Sequence, residues 1–370
     1  MRILHIYTGN LYGGLESMLS TISSYSAGFP TVTNDFALCF QGRLSKELAN
    51  SDCGVFQLGS PRMSRPWSVW KARSALNKLL RKNQYEIAIC HSPWPYAVFA
   101  KTVDKTNSLN VFWTHQFLDG NGVDQRLSQR RKPDLVVCNS RYTKGSVKNL
   151  FEGVRSEVVY CPHALRPQST SSQTSEELRS ANSTSMDAVV VLQASRMEYW
   201  KGQRLLLKSL ARVRSEQQWV LWLAGGAQRK NEQAYVSELK SLACELGIQS
   251  QVRFLGQRQD VPALLASCDI VCQPNEAPEH FGLFYVEGLA AGKPVVASDM
   301  GGASEIITPD CGILCEPKVD SLAATLESLI GSPQLRDRLG RNGPARAKFL
   351  CDPNSRLKQL YDILNEAKGS

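Results

Sequence analysis

No apolar run in this 370-residue chain approaches the roughly 20 residues that a membrane-spanning helix needs. Its motifs contain no Asp-x-Asp pair, and the sequence therefore offers no paired aspartates for a catalytic metal. The glycines near the start lack the G-x-G-x-x-G spacing of a dinucleotide site, which weighs against a nicotinamide cofactor. No helix-turn-helix, finger or RNA-binding signature supports nucleic acid as a partner. The opening MRILHIYTGN reads as a short strand and a turn, not as a signal peptide. The expectation is a cytoplasmic protein, with peripheral contact at the inner face of a membrane left open.

The second half also lacks any charge excess. Residues 166–370 hold 23 basic and 23 acidic side chains, whereas residues 1–165 hold 20 and 11. The whole formal excess of +9 therefore lies in the first half. An anionic partner for that half, either a phospholipid surface or an acidic acceptor, follows from the imbalance. Residues 61–82, PRMSRPWSVWKARSALNKLLRK, concentrate it: Trp67 and Trp70 stand beside seven basic residues. Ala72, Leu76, Leu79 and Leu80 have helical spacing, so the segment reads either as an interfacial helix or as a solvated helix packed on a sheet. Residues 125–132 add a second basic run.

The 11 cysteines are an odd number scattered through apparent strands and helices, as expected of reduced, buried thiols. Cys268-x3-Cys272 and Cys311-x3-Cys315 have a spacing that thiolate zinc sites use. Cys272 and Cys315 nevertheless sit in strand-like runs, and buried thiols explain them better.

A chain of this length fits two domains better than one core. Strand-like runs separated by helical patterns recur at 2–6, 36–40, 55–58, 87–90, 111–115, 135–138 and 158–161. This alternation implies a parallel sheet covered on both faces. Residues 166–186, rich in Ser, Thr and Gln, read as a loop or linker. The alternation restarts at 189–192, 219–223, 254–257, 269–273, 295–297 and 312–314. Amphipathic helices are expected at 322–330, 333–339 and 345–349, with a last one at 355–367. The expected domains are 1–165, a 166–186 linker, and 187–354.

Ligands bind beyond the carboxyl ends of parallel strands. His91 and His115 each end such a strand, although a lone histidine is more often structural. Gly13 and Gly14 follow the first strand, where a tight turn needing glycine is the plain alternative. The most informative stretch is NEAPEHFGLFYVEGLAAGKPVVASDMGG, residues 275–302. Glu279 lies in a loop, Gly282 opens a helix, Glu287 lies more than a turn inside it, and Gly292 caps it. The first helical N–H groups, around Gly282 and Leu283, have no partner within the helix and favour a phosphate. An anion site between two acids suits a nucleotide-sugar, with pyrophosphate in the middle and hydroxyls at each acid. Upstream, Arg196 and Lys201 stand five apart in the exit loop of a strand, where both can reach a pyrophosphate.

E-x7-E with an internal Phe281-Gly282, followed by G-x-P-V-V-A-S, resembles the donor-site signature of family 4 retaining glycosyltransferases. Gly288 departs from that pattern, which commonly has alanine there. The resemblance covers nearly the whole chain and is strongest over 196–302. It implies a GT-B fold: α/β, with two Rossmann-like domains whose parallel sheets face a central cleft. By the same resemblance the final helix, within 355–370, packs back on the first domain. Arg196 and Lys201 match R-x4-K-G, which holds the leaving diphosphate together with the helix start after Phe281. The resemblance further implies that Glu279 positions the sugar and stabilises an oxocarbenium-like centre, while Glu287 binds ribose. It places Gly13 and Gly14 across the cleft at the donor phosphates, Gly225 in a turn near the donor, and Gly256 in a loop on the nucleobase. His115 would contact sugar or acceptor. His163 stands where the family often has Asn-Gly.

The resulting expectation is retaining transfer of a sugar from a nucleotide-sugar donor to a sugar, lipid-linked or small-molecule acceptor, without metal or cofactor. The rivals are a nucleotide-sugar epimerase on the same fold, a phosphorylase or sucrose-type synthase on related folds, and a non-catalytic sugar-nucleotide or lipid-binding module.

Overall fold

A computed structural model of the protein describes residues 1–9, 13–165, 172–227 and 229–369. The chain divides into two compact units, Met1–Ala164 with Cys351–Ser370, and Leu165–Leu350. Residues 351–354, expected in the second domain, thus lie with the first.

Among the described residues the first unit is built on seven strands: β1 (Arg2–Tyr7), β2 (Thr33–Leu38), β3 (Val55–Gln57), β4 (Ile87–His91), β5 (Leu109–Thr114), β6 (Leu135–Cys138) and β7 (Ser156–Val158). Their order is β3-β2-β1-β4-β5-β6-β7, and every pairing is parallel. β4 and β6 are buried at every residue, as a sheet covered on both faces requires. The Trp-containing segment forms the helix Pro66–Asn83, which packs Val69, Ala72, Leu76 and Leu80 inward. Trp67 and Trp70 remain 62% and 69% exposed, so neither is spent on the core. The last helix, Pro353–Gly369, belongs to this unit: its Tyr361 hydroxyl accepts from Asn34 at 2.7 Å.

Among the described residues the second unit has six strands: β8 (Val189–Ala194), β9 (Trp219–Ala224), β10 (Val252–Gly256), β11 (Ile270–Gln273), β12 (Val295–Ser298) and β13 (Gly312–Cys315). Their order is β10-β9-β8-β11-β12-β13, again all parallel. In each sheet the chain starts at the centre, runs to one edge, then returns and builds the other side. The strand order reverses between β1 and β4 in the first sheet and between β8 and β11 in the second. Such switch points are where open α/β sheets bind ligands.

Two further expectations need correction. Within the segment read as a linker, Ser172–Ala181 is a helix of the second unit. It is anchored by a polar group: buried Arg179 donates to Ala188 O at 2.9 Å, Ser267 O at 3.1 Å and Asp269 Oδ2 at 2.8 Å. Residues 166–171 lie outside the described ones. The separate helices expected at 333–339 and 345–349 are one helix, Pro333–Cys351, with Pro344 inside it.

Candidate active site

The second sheet's switch point places two loops side by side. One leaves β8 and carries Arg196 and Lys201; the other leaves β11 and carries Asn275 and Glu279. Gly202 permits their approach. Its φ is +76°, and a Cβ there would stand 1.9 Å from Pro274 O. The Glu276 N–H donates to Trp200 O at 2.8 Å, and Gln193 Nε2 donates to Lys201 O at 2.7 Å.

This apposition brings Lys201 Nζ to 2.5 Å from Glu279 Oε2. Both side chains are nearly buried, at 12% and 13% exposed. The ammonium also lies 3.8 Å from the Trp200 ring centroid, a cation–π contact. Asn275 Nδ2 donates to the same carboxylate oxygen at 3.0 Å, and Gln273 Nε2 does so at 3.4 Å. Burial by itself would raise the Glu279 carboxyl, but the Lys201 charge and hydrogen bond, with Asn275, hold it below its ordinary value. Glu279 is therefore ionised at neutral pH. Burial lowers His280, against the pull of the Glu279 charge, so this imidazole is neutral.

Beyond Glu279 the chain turns at Phe281, which is buried, and Gly282, whose φ is +107°. The helix Leu283–Ala290 begins there. Its first N–H groups, at Leu283 and Phe284, point out of the helix start. Glu287 lies half-buried in its second turn. Gly288 faces β11, where an added Cβ would meet Val271 side-chain atoms at 3.0–3.1 Å. The glycine thus serves close helix–sheet packing. Gly225 and Gly256 also meet: Gly225 N–H donates to Gly256 O at 2.8 Å. A Cβ on Gly225 would lie 1.9 Å from Ser195 O, tying this turn to the β8 exit.

Arg196 is placed differently from Lys201. It is half exposed and pairs with Glu198, Nη1 to Oε1, at 2.9 Å. The structure therefore brings Lys201 and Glu279 together and leaves Arg196 in the same loop on another partner. Gly13, Gly14 and His115 lie in the first unit. Gly13 precedes the helix Gly14–Tyr25 beyond β1, with its N–H on Glu16 Oε2 at 2.9 Å. His115 follows β5. His163, also in this unit, is buried, with its backbone N–H on Cys351 O at 3.1 Å.

Asn275, Gln273 and His280 escaped the sequence reading. Asn275 carried a weak signal, as a polar residue following a buried strand just before the acid. Among the described residues no group of three or more His, Cys, Asp or Glu is placed to hold a metal ion. No helix among them is long and apolar enough to cross a membrane.

Two all-parallel α/β units, each with a switch point in its sheet, are the parts of the GT-B fold, which the solved structures similar to this chain share. Residues 174–346 match the family described as Glycosyl transferases group 1. The crystal structure of Anabaena Alr3699/HepE in complex with UDP and glucose is similar in fold, with a TM-score of 0.85. It is 26% identical and covers 99% of this chain and 100% of that one. Human alpha-1,3/1,6-mannosyltransferase ALG2 is 29% identical over 255 residues, 62% of this chain and 57% of its own length. The GDP-mannose-dependent monoacylated alpha-(1-6)-phosphatidylinositol monomannoside mannosyltransferase of Corynebacterium glutamicum is 29% identical over 265 residues, 67% of this chain and 66% of its own. The chain thus spans 57% and 66% of these two curated relatives. Together the matches show the GT-B fold and a likeness to glycosyltransferases.

Proposed function

We propose that this protein transfers a sugar, with retention of anomeric configuration, from a nucleotide-sugar to an acceptor. The observation that carries the reading is the buried Lys201–Glu279 pair beside the start of the helix Leu283–Ala290. In this reading the second unit binds the donor. Lys201, Arg196 and the N–H groups at Leu283 stabilise charge growing on the leaving diphosphate, a preorganised electrostatic effect. To do so Arg196 turns from Glu198 to the phosphate. Glu279, kept ionised by Lys201 and Asn275, faces the sugar and stabilises positive charge at the anomeric carbon. Glu287 takes ribose hydroxyls, and Gly225 and Gly256 line the nucleoside. Gly13 and Gly14 approach the donor phosphates, and His115 contacts sugar or acceptor. The leaving phosphate takes the acceptor proton, so no separate base is required. The cations and the helix start serve in place of a metal.

The first unit takes the acceptor, which we assign to the lipid-linked class. Exposed Trp67 and Trp70 stand on the helix that carries Lys71, Lys78, Arg81 and Lys82, with exposed Met63 just ahead of it, and one relative is named for a phosphatidylinositol-based acceptor. The relatives' names supply donors to try, UDP-glucose and GDP-mannose. Incubation of the protein with each donor and lipid-linked acceptors, with and without EDTA, tests the reading. Acceptor-dependent product that survives EDTA and keeps the donor's anomeric configuration is expected. Conversion of the donor without any acceptor would point to an epimerase instead.

A further inference from the structure

Three histidines in the first unit join end to end across the sheet. His5 Nδ1 lies 2.9 Å from His91 Nε2, and His91 Nδ1 lies 3.1 Å from His115 Nε2. His5 and His91 are fully buried. The rings are near-parallel, with interplanar angles of 23° and 18°. At the inner end His5 Nε2 lies 3.1 Å from Asn34 Oδ1.

The direction of this chain is set at its far end. The Ser26 hydroxyl donates its one proton to Ile22 O at 2.7 Å. Its oxygen is therefore an acceptor, and Asn34 Nδ2 donates to it at 3.0 Å and to the Tyr361 hydroxyl at 2.7 Å. The Asn34 amide thus turns its nitrogen outward and its oxygen to His5. A neutral imidazole has one donor and one acceptor nitrogen. His5 must then carry its proton on Nε2, which leaves Nδ1 to accept from His91. His91 in turn carries its proton on Nε2 and accepts at Nδ1 from His115.

We propose that Asn34, His5 and His91 form a buried relay that fixes His115 as its Nε2–H tautomer, holding Nδ1 as a hydrogen-bond acceptor. With its proton on Nε2, a neutral His115 cannot act as a proton donor at Nδ1. The three other members are positioning residues, and only His115 touches substrate. The relay carries no charge. Burial lowers His5 to about 4 despite the nearby Asp35, and lowers His91 well below its ordinary value, so both stay neutral at physiological pH.

The role of His115 as a ligand contact rests on the function proposed above, but the tautomer does not. The test is long-range proton–nitrogen correlation NMR of the full chain, labelled with 15N-histidine and recorded at pH 7 without any sugar nucleotide. The chain has five histidines, and single substitutions such as H115Q and H280Q assign them. In the wild type, His5, His91 and His115 should each be neutral with the proton on Nε2. In Asn34→Leu the His115 nitrogens should move toward the average of the two tautomers, with the fold checked by circular dichroism. A His115 in the wild type that is protonated on Nδ1, doubly protonated or evenly mixed overturns the proposal, whether or not the variant folds. So does an unchanged His115 tautomer in a folded Asn34→Leu. Failure of sugar transfer would leave this result untouched, and a mixed tautomer would leave the proposed transfer untouched.

Discussion

Lys201 is the residue on which most depends, because its ammonium faces Glu279 at 2.5 Å in a nearly dry setting. Lys201→Ala should lower kcat by about 100-fold or more, the usual cost of one such electrostatic contact. It should also destabilise the fold by about 3–5 kcal/mol, because a buried carboxylate loses its partner. The pH dependence separates these effects. The carboxyl of Glu279 is depressed in the folded state, so its stabilising contribution is present above the ordinary carboxylate value and is lost as pH falls through the folded one. Without Lys201, burial dominates and the carboxyl rises, so the variant should lose stability as pH rises through that range toward neutral. Urea unfolding across pH, wild type against variant, checks this. Arg196→Ala should behave differently. Its pair with Glu198 is half exposed, so stability should change by no more than about 1 kcal/mol, whereas kcat/KM should fall about 100-fold. A normal rate for that variant would show that Arg196 is only a surface charge. At this scale the sequence displayed the charged residues but not the partners. Chain spacing placed Arg196 and Lys201 together; the fold pairs one with Glu279 and the other with Glu198. Asn275 matters through its hydrogen bond to Glu279 across the loop, which no periodicity records.

At the scale of elements, two loops are held together by a glycine. Gly202→Ala would place a methyl 1.9 Å from Pro274 O at a φ of +76°, so the β8 exit must shift. The strained backbone should cost about 1–3 kcal/mol, and donor binding should weaken with it. Calorimetric titration and a thermal melt of the variant read both; unimpaired donor binding would mean that the apposition is not needed. Most of these elements were legible, since buried parallel strands announce themselves as apolar runs between helical patterns. The misread elements have identifiable causes. The helix Ser172–Ala181 is held by the polar anchor Arg179, which hydropathy does not reveal. The helix Pro333–Cys351 contains Gly340, Gly343 and Pro344, which look like breakers. Yet a Cβ at Gly340 or Gly343 would lie 2.3 Å or 2.5 Å from Gly292 O or Leu289 O. These glycines serve close packing.

For the whole molecule the uneven charge is the leading feature, because the excess of +9 falls entirely within residues 1–165. Trp67 and Trp70 project from the helix that carries much of it, and tryptophan favours the headgroup region. The protein should sediment with anionic vesicles at low salt and be released as salt rises. Reversal of Lys71, Lys78, Arg81 and Lys82 to Glu should abolish sedimentation and leave donor binding intact. Arg73 is excluded from that set because its Nε donates to Val98 O at 2.6 Å. Wild-type protein that stays in solution with anionic lipid at low salt would remove the membrane from the account.

Every role proposed for the second unit requires that a sugar nucleotide bind where Lys201 meets Glu279. Isothermal titration of the full chain with UDP-glucose, GDP-mannose, UDP and GDP tests it most directly, repeated on Lys201→Ala. Saturable binding of one sugar nucleotide and its diphosphate is predicted. Loss of a charge-assisted hydrogen bond should weaken both by about 10-fold or more in the variant. Binding of equal strength in wild type and Lys201→Ala, or no binding of any of the four, would contradict the account.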